Sequence, residues 1–320
     1  MLHKLLLYIY LFVQLECLDG SSSRYQMLLI SDDDSTNKDK DSSARTSILQ
    51  KETMIFDRNN QSIDLIEENS RIFKSYLTFK GRGMELSDLH KFDNEMYAVE
   101  DKTGILFKLK KNLNDVVPWV ILPYCNYTNK FMFKGEWITN KDGYLYVGSF
   151  GSEIKWSRKC KEAYQLVSKV SKNGVIETIS WKENYEKLAE AAGVEENGFF
   201  GIEGIHWSET QRKWIVVLRS LSINTPFLND NTQCSNIVLV SNEDFSKIDK
   251  FTVGNFNESI GFSAVTPLPQ SNDEIYAGLR TFEKGKKFST FITVFKLDGT
   301  VLLDETLISK EHKFEGIAFA

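Results

Sequence analysis

The stretch GEWITNKDGYLYVGS, residues 135–149, contains a glutamate, a short strand pattern, a polar turn and a second strand that opens on an aromatic residue. The same order recurs in MELSDLHKFDNEMYAVE (84–100), IEGIHWSETQRKWIVVL (202–218) and GFSAVTPLPQSNDEIYAGL (261–279), with serine replacing the glutamate in two of them. The C-terminal KFEGIAFA (313–320) matches only the first half of this unit. The repetition predicts a protein assembled from similar β-blades.

The equivalent positions in these repeats recur roughly every 50 to 70 residues, which suits four-stranded propeller blades with insertions. We predict an all-β fold, a five-bladed β-propeller; the alternative is an irregular β-sandwich with chance similarity. Because a propeller is a ring, its chain ends must meet, so N-terminal strands should complete the blade that KFEGIAFA begins. The equivalent positions are Ser87, Glu136, Glu203, Ser263 and Glu315.

The inner strands of a propeller line its axis, so these five side chains should converge there. Three carboxylates buried together are very costly unless a cation neutralises them. A set of oxygen ligands without histidine or cysteine selects a hard ion, and a loose ring of about five to eight oxygens suits calcium better than magnesium. We therefore predict that all five residues bind a central calcium ion, Ca²⁺, whose role is catalytic, structural or both.

Composition limits the class of protein. The 320 residues carry a formal net charge of −5 and are 42% hydrophobic, so the chain can bury a large core and shows no basic excess for nucleic acid. Residues 1–20 have a lysine and then a short apolar run, which predicts a signal peptide, with a signal anchor as the alternative. We expect a single propeller domain over residues 21–320, secreted and extracellular, with no membrane attachment after signal removal.

Secretion determines how the cysteines are interpreted. Cys17 lies at the edge of the predicted signal, which leaves Cys125, Cys160 and Cys234. Three thiols in an oxidising compartment predict one disulfide and one remaining thiol, and we favour the pair Cys125–Cys160. Three sequons are candidate glycosylation sites, at Asn60, Asn126 and Asn257.

Outside the repeats, most segments have strand patterns. One segment, KENYEKLAEAAGV (182–194), has helical periodicity and ends on Gly193. Its predicted buried face consists of Tyr185, Leu188, Ala189 and Ala192. The predicted strands are YQMLLIS (25–31), ILQKETMIFD (48–57), QSIDLIEEN (61–69) and RIFKSYLTF (71–79).

Two acidic segments follow strands: SDDDS (31–35), and the turn EDKTG (100–104) with Asp101. Each is either a solvated loop or part of the propeller mouth. Motifs for a phosphate-binding loop, a zinc hydrolase and a serine nucleophile elbow are absent from the sequence. Four basic residues near the repeats either hold phosphate or are surface charges: Arg82, Lys102, Lys134 and Arg219.

Several segments taken together resemble the calcium-activated nucleotidase family, the Cimex-type apyrases. These are KGRGMELSDL, EDKTG, PWVIL, FKGEW, LYVGSFG, NYEKLAEAAGV, GFS and KFEGI, and the resemblance runs from about residue 25 to the end. It implies a five-bladed propeller with calcium on the same five positions, and hydrolysis of nucleoside tri- and diphosphates such as ATP and ADP. The chain also resembles the secreted salivary apyrases of blood-feeding insects, in which removal of ADP blunts platelet aggregation.

The resemblance further implies that Asp32, Asp34 and Asp101 serve catalysis by orienting or deprotonating the attacking water. The family has Asp-Leu-Asp where this chain has three consecutive aspartates, which leaves the role of Asp33 open, and a double aspartate where this chain has Glu100 and Asp101. Three alternatives stay open. They are a secretory-pathway diphosphatase for UDP or GDP, a non-enzymatic secreted propeller with a structural calcium, and a calcium-dependent lactonase-like propeller.

Overall fold

The computed structural model describes residues 22–33, 37–40, 43–124, 132–152, 163–226 and 233–320. Within these ranges the chain forms five four-stranded antiparallel sheets, the blades of a five-bladed β-propeller. The fold predicted from the repeats is therefore confirmed.

Each blade runs from an innermost strand at the propeller axis to an outermost strand at the rim. In that order, blade 1 contains β20 (Phe314–Phe319), β1 (Ser22–Ser31), β2 (Arg45–Asp57) and β3 (Ser62–Ser75). Blade 2 contains β4 (Leu86–Phe92), β5 (Glu95–Glu100), β6 (Ile105–Leu109) and β7 (Val116–Ile121). Blade 3 contains β8 (Trp137–Lys141), β9 (Tyr144–Gly148), β10 (Leu166–Val170) and β11 (Ile176–Ser180). Blade 4 contains β12 (Phe199–Ser208), β13 (Lys213–Ser222), β14 (Ile237–Asn242) and β15 (Ile248–Thr252), and blade 5 contains β16 (Ile260–Pro267), β17 (Ile275–Lys284), β18 (Lys287–Lys296) and β19 (Val301–Ser309).

The ring closes in blade 1, where the last strand of the chain pairs with the first. β20 runs antiparallel to β1, with Met27 opposite Phe319 and Ile30 opposite Gly316. The predicted closure by N- and C-terminal strands is confirmed. β20 also contacts β4 of blade 2 and β16 of blade 5, so it connects blade 1 to the blades on both sides of it.

Apolar clusters fill the spaces between neighbouring blades, because alternate side chains of each strand face opposite sides of its sheet. Between blades 3 and 4, for example, Trp137 and Trp214 pack with Trp181 and with Leu188 of a short helix. Comparable clusters lie between the other neighbouring pairs of blades. Burial of each large apolar side chain stabilises the fold by about 1.5–3 kcal/mol.

The predicted helix is confirmed as α1 (Lys182–Ala192), and the predicted face contacts the core between blades 3 and 4. The helix ends at Ala192 because the next residue, Gly193, has a left-handed backbone conformation. Gly193 adopts φ 90°, and its N–H donates to the Ala189 and Glu190 carbonyls. This left-handed conformation is costly for a residue with a Cβ atom.

The prediction of two strands at residues 61–69 and 71–79 is wrong. One continuous strand, β3, spans these segments and ends at Ser75. Asn69 and Ser70 have turn-like side chains, yet they pair with Lys51 and Gln50 of β2. An outermost strand exposes most of its side chains, so polar residues there do not interrupt the ladder.

Several predictions fall outside the described residues, namely the signal peptide and residues Cys17, Cys125, Asn126 and Cys160. Cys234 is buried. Asn60 and Asn257 are exposed, as glycosylation requires. No helix within the described ranges is long and apolar enough to cross a membrane.

Candidate functional site

The five innermost strands β20, β4, β8, β12 and β16 contact one another in this order around the propeller axis. Four of them share an irregularity at the predicted ligand position. In β4, Leu86 pairs with Glu100 and Asp88 pairs with Val99, which leaves Ser87 without a partner in the ladder. The equivalent bulges in β12, β16 and β20 leave out Glu203, Ser263 and Glu315.

Glu136 lies at the equivalent point of the fifth blade, immediately before β8. Its N–H donates to the Gly148 carbonyl at 2.8 Å, although Gly148 already pairs with Trp137 in the ladder. A β-bulge turns one side chain away from the regular alternation and is common beside functional sites. The four bulges, with Glu136 at the equivalent position before β8, mark two serines and three glutamates on the inner edges of the five blades, and we call these five residues the axial ring.

Each glutamate of the axial ring lies beside one cation. Lys134 forms an ion pair with Glu136, and Lys313 Nζ lies 2.9 Å from Glu315 Oε1. Arg219 Nε lies 3.8 Å from Glu203 Oε2. Both lysines precede their glutamate by two residues, in FKGEW and in HKFEG, so two of the five repeats share a basic position as well as an acidic one.

The axial ring fits a hard cation. Its donor atoms are all oxygens, and Ser87, Glu136, Ser263 and Glu315 are buried, while Glu203 is partly exposed. The buried oxygens Ser87 Oγ and Glu203 Oε2 accept and donate no hydrogen bond within the described residues. Buried polar atoms normally have a partner, and a calcium ion would supply one. Burial also raises the pKa of Glu136 to about 7, with Lys134 opposing and Glu203 adding to the rise.

A second acidic cluster lies next to the ring, at the ends of β1 and β5 and just before β4. Carboxylate oxygens of Asp32, Glu85 and Asp101 lie within 4.8 Å of one another, and all three residues are buried. We call these residues the acidic triad. These carboxylates are close enough together to hold a metal, whereas Glu136, Glu203 and Glu315 form no such close group among the described residues.

Basic residues bracket the acidic triad. Lys134 Nζ lies 2.9 Å from Asp101 Oδ2, and Lys102 forms ion pairs with both Asp101 and Glu85. Arg82 forms a two-pronged ion pair with Glu85, with Nε 2.7 Å from Oε1. Lys134 therefore joins the triad to the axial ring, since it also contacts Glu136.

Asp101 is held in its charged form by two lysines. Burial favours its neutral form, but the Lys134 and Lys102 ammonium groups outweigh burial and hold the pKa of Asp101 well below its usual value. Its Oδ2 atom accepts hydrogen bonds from both lysines. Its Oδ1 atom is buried and has no hydrogen-bond partner within the described residues. An ionised carboxylate with one unsatisfied oxygen can position a water molecule.

The turn that carries Asp101 is fixed by Glu100. The Glu100 carboxylate accepts hydrogen bonds from the Thr103 N–H and hydroxyl and from the Glu85 N–H. Burial and the neighbouring Asp101 charge raise the pKa of Glu100 to about 7. The Asp101 N–H in turn donates to the Glu85 carbonyl at 3.1 Å. Glu100 thus positions two members of the triad.

The predicted catalytic aspartates have different surroundings. Asp32 and Asp101 lie together in the acidic triad, whereas Asp34 lies outside the described residues. Asp33 instead contacts the end of the chain: its carboxylate accepts from the Lys313 N–H at 3.0 Å and lies 3.0 Å from His312 Nδ1. The structure therefore places Asp33 where the last strand of the chain closes the propeller.

The predicted phosphate-binding residues lie in two different places. Arg82, Lys102 and Lys134 surround the acidic triad and are partly exposed. Arg219 is buried, and its Nη1 donates to the Thr281 carbonyl at 3.0 Å. Arg219 is therefore held between blades 4 and 5, beside Glu203.

Glu85, Glu100 and Lys313 are site residues that the sequence interpretation missed. Glu85 precedes Ser87 by two residues, as Lys134 and Lys313 precede their glutamates, but the opposite charge at this position gave no signal for a site carboxylate. Lys313 carried a signal, because it occupies the same place relative to Glu315 as Lys134 does relative to Glu136.

Comparison with known proteins agrees with this architecture. The family model "Apyrase" matches residues 32–320. The apyrase of Cimex lectularius is 34% identical over 303 residues, covering 92% of this chain and 82% of that protein. The apyrase of Phlebotomus duboscqi is 36% identical over 258 residues, covering 78% and 74% of the two chains. Soluble calcium-activated nucleotidase 1 of Rattus norvegicus is 32% identical over 302 residues, covering 92% and 74%. The resemblance inferred from the motifs is confirmed, and the chain belongs to the apyrase family.

Proposed function

We propose that this protein is a secreted, calcium-dependent apyrase that hydrolyses ATP and ADP to AMP and phosphate. The observation that supports this most strongly is the axial ring beside the acidic triad, with Lys134 in contact with both. The names of the relatives, apyrase and calcium-activated nucleotidase, point to the same chemistry. The predicted signal peptide supports an extracellular location, where removal of ADP would suppress platelet aggregation.

In this proposal Ser87, Glu136, Glu203, Ser263 and Glu315 hold the calcium ion. When bound, calcium supplies positive charge that stabilises the transition state of phosphoryl transfer. Arg219 and Lys313 hold two of the ring glutamates in place by ion pairs.

The acidic triad and its cations carry the rest of the mechanism. Arg82, Lys102 and Lys134 bind the phosphate oxygens of the substrate, since charge-assisted hydrogen bonds are the strongest that a phosphate can receive. Asp101, with its unsatisfied Oδ1, orients the attacking water. Asp32 lies within the same cluster and accepts the proton of that water. Glu100 keeps the Asp101 turn in position.

The proposal is tested by phosphate release from ADP, ATP and AMP, with UDP and GDP in parallel. We expect release from ADP and ATP in calcium, loss of release in EDTA, restoration by added calcium, and none from AMP. Magnesium should replace calcium poorly, because it requires tight octahedral geometry. Undiminished release in EDTA, or with magnesium as the only divalent ion, would contradict the proposal. Preference for UDP or GDP would instead favour the secretory-pathway diphosphatase.

A further inference from the structure

A cavity of about 250 Å³ opens at the other end of the inner strands. His90 follows Ser87 by three residues, and His206 follows Glu203 by three residues. With about 3.3 Å per residue along a strand, both histidines lie roughly 10 Å below the axial ring. Both line the cavity, together with Asn140, Thr266 and Asp273.

The two imidazole rings lie close together, on the inner strands that flank β8, with their planes tilted by 47°. Their centroids are 6.1 Å apart, with His90 on β4 and His206 on β12. Two imidazoles that bind one ion at metal–nitrogen distances of about 2.0–2.1 Å have centroids roughly 5–6 Å apart. The observed separation suits one ion between them with a wide angle at the metal.

Asn140 on β8 sets the tautomer of His90. The His90 Nε2 atom lies 2.7 Å from the Asn140 side-chain oxygen, which can only accept a hydrogen bond. Nε2 therefore carries the proton, and Nδ1 presents a lone pair. Metal-binding histidines generally donate their other N–H to a carbonyl or carboxylate in this way.

His206 is only 8% exposed, and it lines the cavity. It contacts Tyr276 edge to face, with centroids 5.9 Å apart. Burial, with a smaller contribution from His90, lowers the pKa of His206 to about 3, and burial lowers the pKa of His90. Both rings are therefore neutral near pH 7, as metal binding requires.

We propose that His90 and His206 bind a divalent transition-metal ion of the zinc type at this end of the axis. Imidazole suits zinc, whereas calcium selects oxygen ligands, so this site and the axial ring prefer different ions. Asp273 supplies a negative charge to the cavity, and its carboxylate is held by the Ser208 hydroxyl at 2.7 Å. The exposed Lys91 also lines the cavity. A bound ion would link blade 2 to blade 4 across the axis.

The test is calorimetric titration of zinc chloride into calcium-saturated protein, with melting temperature and zinc X-ray absorption as further measurements. We expect one zinc ion per chain, two imidazole ligands in the absorption spectrum, and a melting temperature that rises with zinc concentration. His206→Asn and His90→Asn should remove this binding. Asn140→Ala should weaken it about 10- to 100-fold.

Thr266→Val is the matched control, because it alters the same cavity without changing an imidazole, and its zinc affinity should equal that of the parent. Three results would overturn the proposal: no stoichiometric zinc binding by the calcium-saturated parent, unchanged binding by His206→Asn, or an absorption spectrum with oxygen ligands alone. If the histidine variants do not fold, the parent spectrum and Asn140→Ala decide the question. These measurements do not depend on nucleotide hydrolysis.

Discussion

Replacement of Asp101 by asparagine is expected to lower the turnover of ADP about a hundredfold or more, the usual range for loss of a group that handles the reacting water. The amide keeps the shape of the side chain but loses the charge that faces Lys102 and Lys134. The fold should survive, because Lys102 still contacts Glu85 at 3.3 Å and Lys134 still contacts Glu136. The measurement is the initial rate at saturating ADP and calcium, with a melting curve of the same sample.

Asp33→Asn is the matched control, since it changes the same residue type in the acidic run next to Asp32. Its side chain serves the ring closure with His312 and Lys313. We therefore expect a lowered melting temperature and nearly normal turnover of the folded fraction. Near-normal turnover of Asp101→Asn would remove Asp101 from the mechanism. A reversed pattern, with the larger loss of turnover in Asp33→Asn, would place the chemistry at the ring closure.

Deletion of residues 314–320 is expected to prevent folding, with loss of soluble protein and aggregation. β20 contributes the buried side chains Phe314, Ile317 and Ala318 to clusters on both sides of blade 1. Loss of Phe314 and Ile317 alone costs roughly 1.5–3 kcal/mol each, against a total stability of about 5–15 kcal/mol. The deletion also leaves β1 as an unpaired edge, which promotes association between chains. The measurement is the soluble yield, followed by size-exclusion chromatography and melting.

Ile317→Val is the control for the deletion, because it keeps the strand and removes one methyl group at a cost of about 0.5–1.5 kcal/mol. It should remain soluble, with a slightly lowered melting temperature and a normal response to calcium. Added calcium should not restore folding of the deleted chain. The axial ring has lost Glu315, and the propeller has lost its closing strand. A soluble, monomeric deletion variant that melts at the parent temperature would show that β20 does not close the propeller.

The fold, and the equivalence of the five positions in the axial ring, could be predicted because a similar local structure is repeated along the chain, whereas calcium binding by these positions stays a prediction. Ser87, Glu203, Ser263 and Glu315 each occupy a bulge of an inner strand, and Glu136 occupies the equivalent position before β8. A repeated backbone feature leaves a repeated pattern in the sequence. The apolar closing strand was predictable for the same reason.

Features made by contacts distant in the chain could not be predicted. Asp33 meets His312 only because the ring closes, and no local pattern relates residues 279 positions apart. Glu85 joins Asp32 and Asp101 through the meeting of blades 1 and 2. The pairing of His90 with His206 likewise becomes visible only when their strands share an axis, although both follow a ring position by three residues.

We propose above all that the axial ring holds calcium while the acidic triad performs chemistry. The most direct measurement is the calcium dissociation constant of the parent, Glu203→Gln and Asp101→Asn, determined by calorimetry without nucleotide. Glu203 belongs to the ring and forms no part of the triad, and Asp101 belongs to the triad. We predict calcium binding weakened about tenfold or more in Glu203→Gln, as expected for loss of one charged oxygen ligand from the site, and within about twofold of the parent in Asp101→Asn. Weakened binding in Asp101→Asn with parental binding in Glu203→Gln would place the calcium in the triad and contradict this division of roles.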